Sequence, residues 1–238
     1  MKKTKVSKIS PWAVLIVAAG QSTRLKAKVA KPFLFVDHRR TLLDLCLESF
    51  SKVAGLAYVV VATREHYMER AIQAIYRYKL EGVVTKGGAE REDSVLEGLR
   101  VMPKAIKYVL VHDAARPLVS PEVIRRVLET TASSGAAIPV VQVRDTLKIV
   151  SGNRIEKTLD RSHIRAVQTP QGFKLPLLNK AFKKLGGRAS RLTDDAAVAE
   201  AAGFRVKTVE GDELNFKVTT FYDLQRVKDL VWSRSEGR

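Results

Sequence analysis

The sequence predicts an α/β fold, with a mainly parallel sheet carrying helices on both faces. Three observations lead there. Short apolar runs recur between Trp12 and Val141, segments with helical spacing lie between them, and the first run ends in Val14-Leu15-Ile16-Val17, apolar without alternation. An unbroken apolar strand is one covered on both faces, and strands alternating with helices build right-handed βαβ units.

In chain order, strands are expected at Trp12 to Val17, Ala57 to Thr63, Gly82 to Thr85, Tyr108 to His112 and Ala136 to Val141. Helices separate them. Thr41 to Val53 sets Leu42, Leu45 and Ser49 at helical spacing; Val95, Leu96, Leu99 and Met102 line one face of the next; Val123, Val127 and Leu128 do so after Pro121. From Arg144 the rhythm changes. Alternating apolar positions flank Ser151-Gly152-Asn153, a turn signal, so a β-hairpin is expected within about 144–168. Such an insertion needs something to pack against, and a partner subunit is the simplest candidate. Helices follow at Pro176 to Leu185 and Thr193 to Ala202, then a strand at Arg205 to Val209. The last helix places Phe221, Leu224, Val227, Leu230 and Val231 on one face. With no repeat, low-complexity tract or linker, residues 1–238 are expected to form one domain, with 1–11 a basic extension and 144–168 an arm.

The chain has 238 residues and is 45% hydrophobic, which is enough for a substantial core. No apolar run approaches the roughly 18 residues of a membrane span. Lys2, Lys3, Lys5 and Lys8 precede no apolar stretch of signal-peptide type, so a cytoplasmic protein without membrane partners is expected. The lone cysteine, Cys46, lies on an apolar helix face and reads as a small core residue. A net charge of +17 raises the question of nucleic acid. The charges are scattered, however, and no zinc-finger spacing or RNA-recognition motif accompanies them. Attraction of small anions, or a solvated basic surface, is the more economical account, and no nucleic-acid partner is expected.

Polar motifs gather where strands end, which is where ligands bind in open α/β sheets. Ala18-Ala19-Gly20 closes the first strand with residues small enough for a ligand to approach the backbone, and Arg24 and Lys31 follow as cations for a nucleoside triphosphate. The loop has neither the P-loop pattern nor the G-x-G-x-x-G fingerprint. Gly87 to Ser94 opens a helix whose N-terminus and glycines suit a base edge or an anion; Ser94 also fits a plain helix start. Asp113 ends the fourth strand, a place for a carboxylate that meets a metal or a hydroxyl, and Arg116 would pair with it or take a substrate phosphate. Asp160-Arg161, Thr169-Pro170-Gln171 and Asn215 to Thr219 complete the set. The four histidines lack metal-ligand spacing, and no nucleophile elbow or acid/base pair is evident. Nucleotidyl transfer onto a phosphate needs neither, because a phosphate monoester is already mostly dianionic at neutral pH, with a second pKa of about 6. It needs cations, position and Mg²⁺.

The ordered set A-A-G-x-x-x-R, A-K-P-F, G-G-x-E-R-x-D-S-V, V-H-D-A-A-R-P, V-R-D-T, D-R, Q-T-P-Q-x-F, T-D-D-A and K-V-T, running from about Ala13 to Leu230, closely resembles the 2-C-methyl-D-erythritol 4-phosphate cytidylyltransferase family. That resemblance implies a Rossmann-like nucleotidyltransferase fold with a hairpin arm, a homodimer, and transfer of a cytidylyl group from CTP to methylerythritol phosphate in the non-mevalonate isoprenoid pathway, with Mg²⁺. By the same resemblance Arg24, Lys31 and Lys217 are the catalytic cations. Ala18, Ala19, Gly20, Gly88, Ser94, Asp113 and Ala114 face the nucleotide. Asp113, Arg116, Thr146, Thr169 and Lys217 face the acceptor, and Arg161 reaches into the neighbouring subunit's site. Mg²⁺ is expected mainly on the CTP phosphates, with Asp113 nearby.

Two positions depart from the family pattern. Ala30 stands before Lys31 where proline is usual, and Ala89 stands where an acidic residue is common in the base pocket. A ribitol 5-phosphate cytidylyltransferase shares the scaffold, but Ala18-Ala19-Gly20, Ala114-Ala115, V-R-D-T and T-D-D-A lean toward the erythritol enzyme. A basic nucleic-acid-binding protein on an inactive fold is opposed by the retention of Arg24, Lys31, Asp113 and Lys217.

Overall fold

In the computed structural model, which describes residues 9, 11–20 and 29–236, strand β1 (Trp12–Val17) pairs in parallel with β2 (Leu56–Thr63) on one side and with β4 (Tyr108–Asp113) on the other. β3 (Gly82–Lys86) extends the sheet beyond β2. The sheet has eight strands and is mostly parallel, as the unbroken apolar runs require.

Successive residues of β1 point to opposite faces, and both sets are buried. Val14 and Ile16 pack with α1 (Leu42–Ser51), α2 (Met68–Arg77) and α4 (Pro121–Ser134) through Leu43, Leu47, Ile75, Ile124 and Leu128. Ala13 and Leu15 face the opposite core, which contains Val95 and Leu99 of α3 (Arg91–Arg100), Leu178 and Phe182 of α5 (Leu175–Leu185) and Val198 of α6 (Asp195–Ala201). Burying one such side chain fully is worth about 1.5–3 kcal/mol. This two-faced burial fixes the sheet between helices. Cys46 is a wholly buried core residue, and burial pushes its thiol pKa up.

Two short strands of this sheet run antiparallel to their neighbours. Between β4 and β5 (Ala136–Gln142) lies β9 (Gln171–Lys174), antiparallel to both, and β8 (Arg165–Val167) runs antiparallel to β5. Each has four residues or fewer, too short for periodicity to declare. The hairpin, β6 (Lys148–Ser151) and β7 (Arg154–Thr158), therefore fills only the middle of the expected arm, and its last part returns to the sheet. Gly152 turns the hairpin at φ +55°, a conformation that favours glycine. β10 (Lys207–Glu210) pairs with β5 at the far edge.

The last helix, α7 (Phe221–Glu236), buries Leu224, Val227 and Val231 against Val36, Leu42, Leu45, Leu118 and Val218. Phe221, expected on that buried face, is exposed. Packing of α7 beside Val218 holds the segment that carries Lys217.

Candidate functional site

β1 sits where the strand order reverses, with β2 and β3 to one side and β4 to the other. Register brings the carboxyl ends to one level: Val17 lies opposite Asp113 of β4 and Ala62 of β2, and Thr63 lies opposite Lys86 of β3. Loops leaving this edge enclose a cavity of about 490 Å³, lined among others by Ala18, Gly20, Lys31, Gly88, Asp113 and Lys217. This is the crevice that open α/β sheets use for ligands.

Two loops form its small-residue wall. Ala18 N–H donates to the Ala62 carbonyl and Gly87 N–H to the Thr63 carbonyl, so both loops leave along β2. They then touch. A Cβ added at Gly87 would lie 2.4 Å from Ala19 Cβ, so glycine is required there by close approach. Ser94 Oγ accepts from Gly88 N–H at 3.1 Å and donates to the Glu90 carbonyl. It is thus more than a helix-start residue, since it folds the glycine loop over the first turn of α3.

The floor is Asp113, a buried carboxylate. Its Oδ1 accepts from Arg91 Nε at 3.0 Å and its Oδ2 from Lys217 Nζ at 2.7 Å, while its backbone N–H donates to Thr169 Oγ1. Burial alone would raise the carboxyl, but the charges of Arg91 and Lys217 outweigh it and hold Asp113 well below the usual carboxylate range. Arg91 also donates from Nη2 to Asp195 Oδ2 at 2.8 Å. Burial opposes its charge, yet the two carboxylates leave its pKa raised.

Lys31 Nζ donates to the Val218 carbonyl at 2.9 Å, next in sequence to Lys217. The backbone around Lys217 is tied on both sides. Asn215 Nδ2 donates to the Thr169 carbonyl at 2.8 Å, and Val218 N–H to the Ala115 carbonyl at 2.7 Å. Below Lys31, Ala30 N–H donates to the Tyr67 hydroxyl, and Phe33 stacks on the Tyr67 ring at 4.7 Å between centroids. Ala30 has φ −61°, within the range proline would impose. Arg24 lies outside the described residues.

The remaining expected residues divide. Arg116 makes no hydrogen bond to Asp113; its Nη1 and Nη2 donate to the carbonyls of Asn215 and Val167, so the pairing partner of Asp113 is Arg91 instead. Thr169 is buried, with its hydroxyl between Asp113 N–H and His112 Nδ1. His112 Nε2 lies 3.1 Å from the Arg116 carbonyl. Burial pushes His112 down to about 4, against a smaller opposing pull from Asp113, so it is neutral. Ala114, expected to face the nucleotide, is buried and does not line the cavity, whereas Ala115 does. Thr146 and Arg161 are exposed and do not line the cavity; Arg161 borders a separate depression with Arg144 and Arg165. Arg91 and Asp195 are site residues that the sequence reading leaves unmarked. Their signal was present, since both lie in motifs of the ordered set, R-x-D-S and T-D-D-A.

A model of the family described as IspD, 2-C-methyl-D-erythritol 4-phosphate cytidylyltransferase, matches residues 12–232. The bifunctional enzyme IspD/IspF of Desulfotalea psychrophila is 36% identical over 225 residues; the match covers 94% of this chain and 58% of that relative. The 2-C-methyl-D-erythritol 4-phosphate cytidylyltransferase of Bacillus cereus is 39% identical over 215 residues, 90% of this chain and 94% of the relative. The crystal structure of the Thermus thermophilus protein of the same description superposes with a TM-score of 0.78 at 37% identity, covering 92% of this chain and 98% of the other.

Proposed function

The chain belongs to the 2-C-methyl-D-erythritol 4-phosphate cytidylyltransferase family of isoprenoid biosynthesis, and we propose that its cavity carries out that transfer as follows. The acceptor's phosphate oxygen attacks the α-phosphorus of CTP in line. One P–O bond forms, the bond to pyrophosphate breaks, and the product is 4-diphosphocytidyl-2-C-methyl-D-erythritol. No proton need move, since the acceptor phosphate is already mostly dianionic, its second pKa being about 6.

The observation that carries this reading is that Lys31 and Lys217 line one small-residue cavity whose floor is the ionised Asp113. Two anions must meet there, and cations already placed at the cavity offset their repulsion better than solvent does. Arg24 is assigned a third positive charge. Gly88 spends its N–H on Ser94, so base reading falls to the Gly88 carbonyl and the backbone of Ala89. Thr169 holds Asp113, and Arg116, through its carbonyl contacts, holds the walls of the acceptor end.

Among the described residues Asp113 and Glu90 are the carboxylates lining the cavity, and each oxygen of Asp113 already receives a cation. That donor set fits Mg²⁺ carried on substrate phosphates, because the ion takes only one or two carboxylates in such sites. Bound there, Mg²⁺ would neutralise phosphate charge. Exposed Ile149, Val150 and Ile155 on the hairpin support a homodimer built through the arm, with Arg161 serving the neighbouring site. No helix among the described residues is long and apolar enough to cross a membrane, and a cytoplasmic enzyme is the reading adopted.

A pyrophosphate-release assay crossing CTP, UTP and ATP with methylerythritol phosphate and ribitol 5-phosphate tests the proposal. Turnover with CTP and methylerythritol phosphate is expected. Rapid turnover with ribitol phosphate alone would overturn it.

A further inference from the structure

Asp195 does not line the cavity, yet it is fully buried at the start of α6 and bound to Arg91. The contacts of that residue form a chain. Asp195 Oδ2 receives Arg91 Nη2 at 2.8 Å, Arg91 Nε reaches Asp113 Oδ1 at 3.0 Å, and Asp113 Oδ2 receives Lys217 Nζ at 2.7 Å. Two carboxylates and two cations thus alternate from α6 to the cavity. We propose that Asp195 is a positioning residue for cytidylyl transfer, holding Arg91 so that Asp113 presents the Lys217 ammonium to the nucleotide phosphates; this rests on the role given to Lys217 above.

The helix itself does not need the Asp195 carboxylate. Asp194 caps α6 by accepting from Ala197 N–H at 2.8 Å, and Gln171 braces the same turn, donating to Asp194 Oδ2 and accepting from Ala196 N–H. Its neighbours Ala196, Val198 and Ala199 are apolar and buried. The carboxylate is therefore not what forms the helix, although removing it alone leaves the Arg91 guanidinium one carboxylate short. What the carboxylate does is fix a guanidinium. Arg91 is planar and gives two donors to two carboxylates, so fixing one contact sets the direction of the other. Lys217 gains most from this. Its side chain is 43% exposed on a flexible stem, and Asp113 occupies one of its three donors, leaving two for phosphate oxygens.

The test is a double-mutant cycle on the full chain: wild type, Asp195→Asn, Lys217→Gln and the double variant, assayed with CTP and whichever acceptor the wild type turns over. Asp195→Asn should lower kcat on the order of tenfold or more, the scale of a displaced catalytic group, with KM for CTP changed less than about threefold. In the Lys217→Gln background the same substitution should cost less than about twofold, because residues acting through one another are not additive. Costs that multiply in the double variant would overturn the proposal and leave Asp195 a structural residue. So would an Asp195→Asn enzyme with wild-type kcat. Should Asp195→Asn fail to fold, Arg91→Lys replaces it in the cycle. That substitution keeps the charge without the fork and is expected to show the same coupling to Lys217. Wild type that ignores methylerythritol phosphate defeats the proposed function but not this coupling, which the active acceptor still reads.

Discussion

The hydroxyl of Tyr67 accepts a hydrogen bond of 2.9 Å from the backbone N–H of Ala30, the residue immediately before Lys31. A proline at position 30 has no N–H to give. In this chain the loop is therefore held by a hydrogen bond and by the stacked Phe33–Tyr67 pair. Tyr67→Phe keeps the stack and removes the bond, a loss of about 1 kcal/mol. Thermal unfolding should fall by about 2–4 °C for a chain of this size. If the loss falls on the placement of Lys31, kcat/KM should drop about fivefold. Unchanged turnover would show that Lys31 is placed by other contacts.

Lys31→Ala and Lys217→Ala should each lower kcat by a factor on the order of a hundred or more, the scale for losing a transition-state electrostatic partner. Circular dichroism should show the fold intact, since both groups lie at the edge of the cavity rather than in the core. Near-normal turnover in either variant would remove that lysine from the chemistry.

Arg161 is exposed and stands away from the cavity of its own chain. If it serves a neighbouring subunit, Arg161→Ala should be poorly active. Mixing it with Lys31→Ala under subunit exchange should restore activity, because a heterodimer then holds one site with both groups intact. Absence of recovery after verified exchange would place Arg161 outside the neighbouring site.

His112 ties acid stability to the site. It is held neutral, its pKa pushed from 6.5 to about 4 by burial, so below pH 6.5 the unfolded chain takes up a proton that the native state refuses. Its contribution is complete above that value and drains away as pH falls toward 4, a loss of about 2–3 kcal/mol. The Asp113 carboxyl, held below its ordinary 3.8, has the same sign but acts only at lower pH. Denaturant unfolding between about pH 7 and about pH 4.5 should show this decline. The carboxyls of Asp195 and Glu92, raised by burial, work in the opposite sense, so the decline is read against a His112→Asn variant: one that loses stability as steeply as the wild type would mean that His112 is not buried and neutral.

Local chemistry determined much of this protein. The apolar runs of β1, β2 and β4, the helix starts at Thr41 and Ser120 and the Gly152 turn depend on residues a few positions apart, so spacing alone reveals them. The cluster of small and charged residues at strand ends was legible for the same reason, because a strand's carboxyl end is a local landmark. Tertiary structure alone decided the rest. The short strand β9 lies between β4 and β5 and pairs antiparallel with both, a contact that joins segments distant in the chain. Arg116 was free in the sequence to pair with its near neighbour Asp113, yet its donors go to Asn215 and Val167. Asp113 instead takes Lys217, and Arg91 takes Asp195, each across 104 residues of chain. Such pairs leave no periodic trace. They exist because α3 and α6 bury their apolar faces in one core, α7 packs beside Val218, and the charged ends of these segments are thereby brought within hydrogen-bond reach.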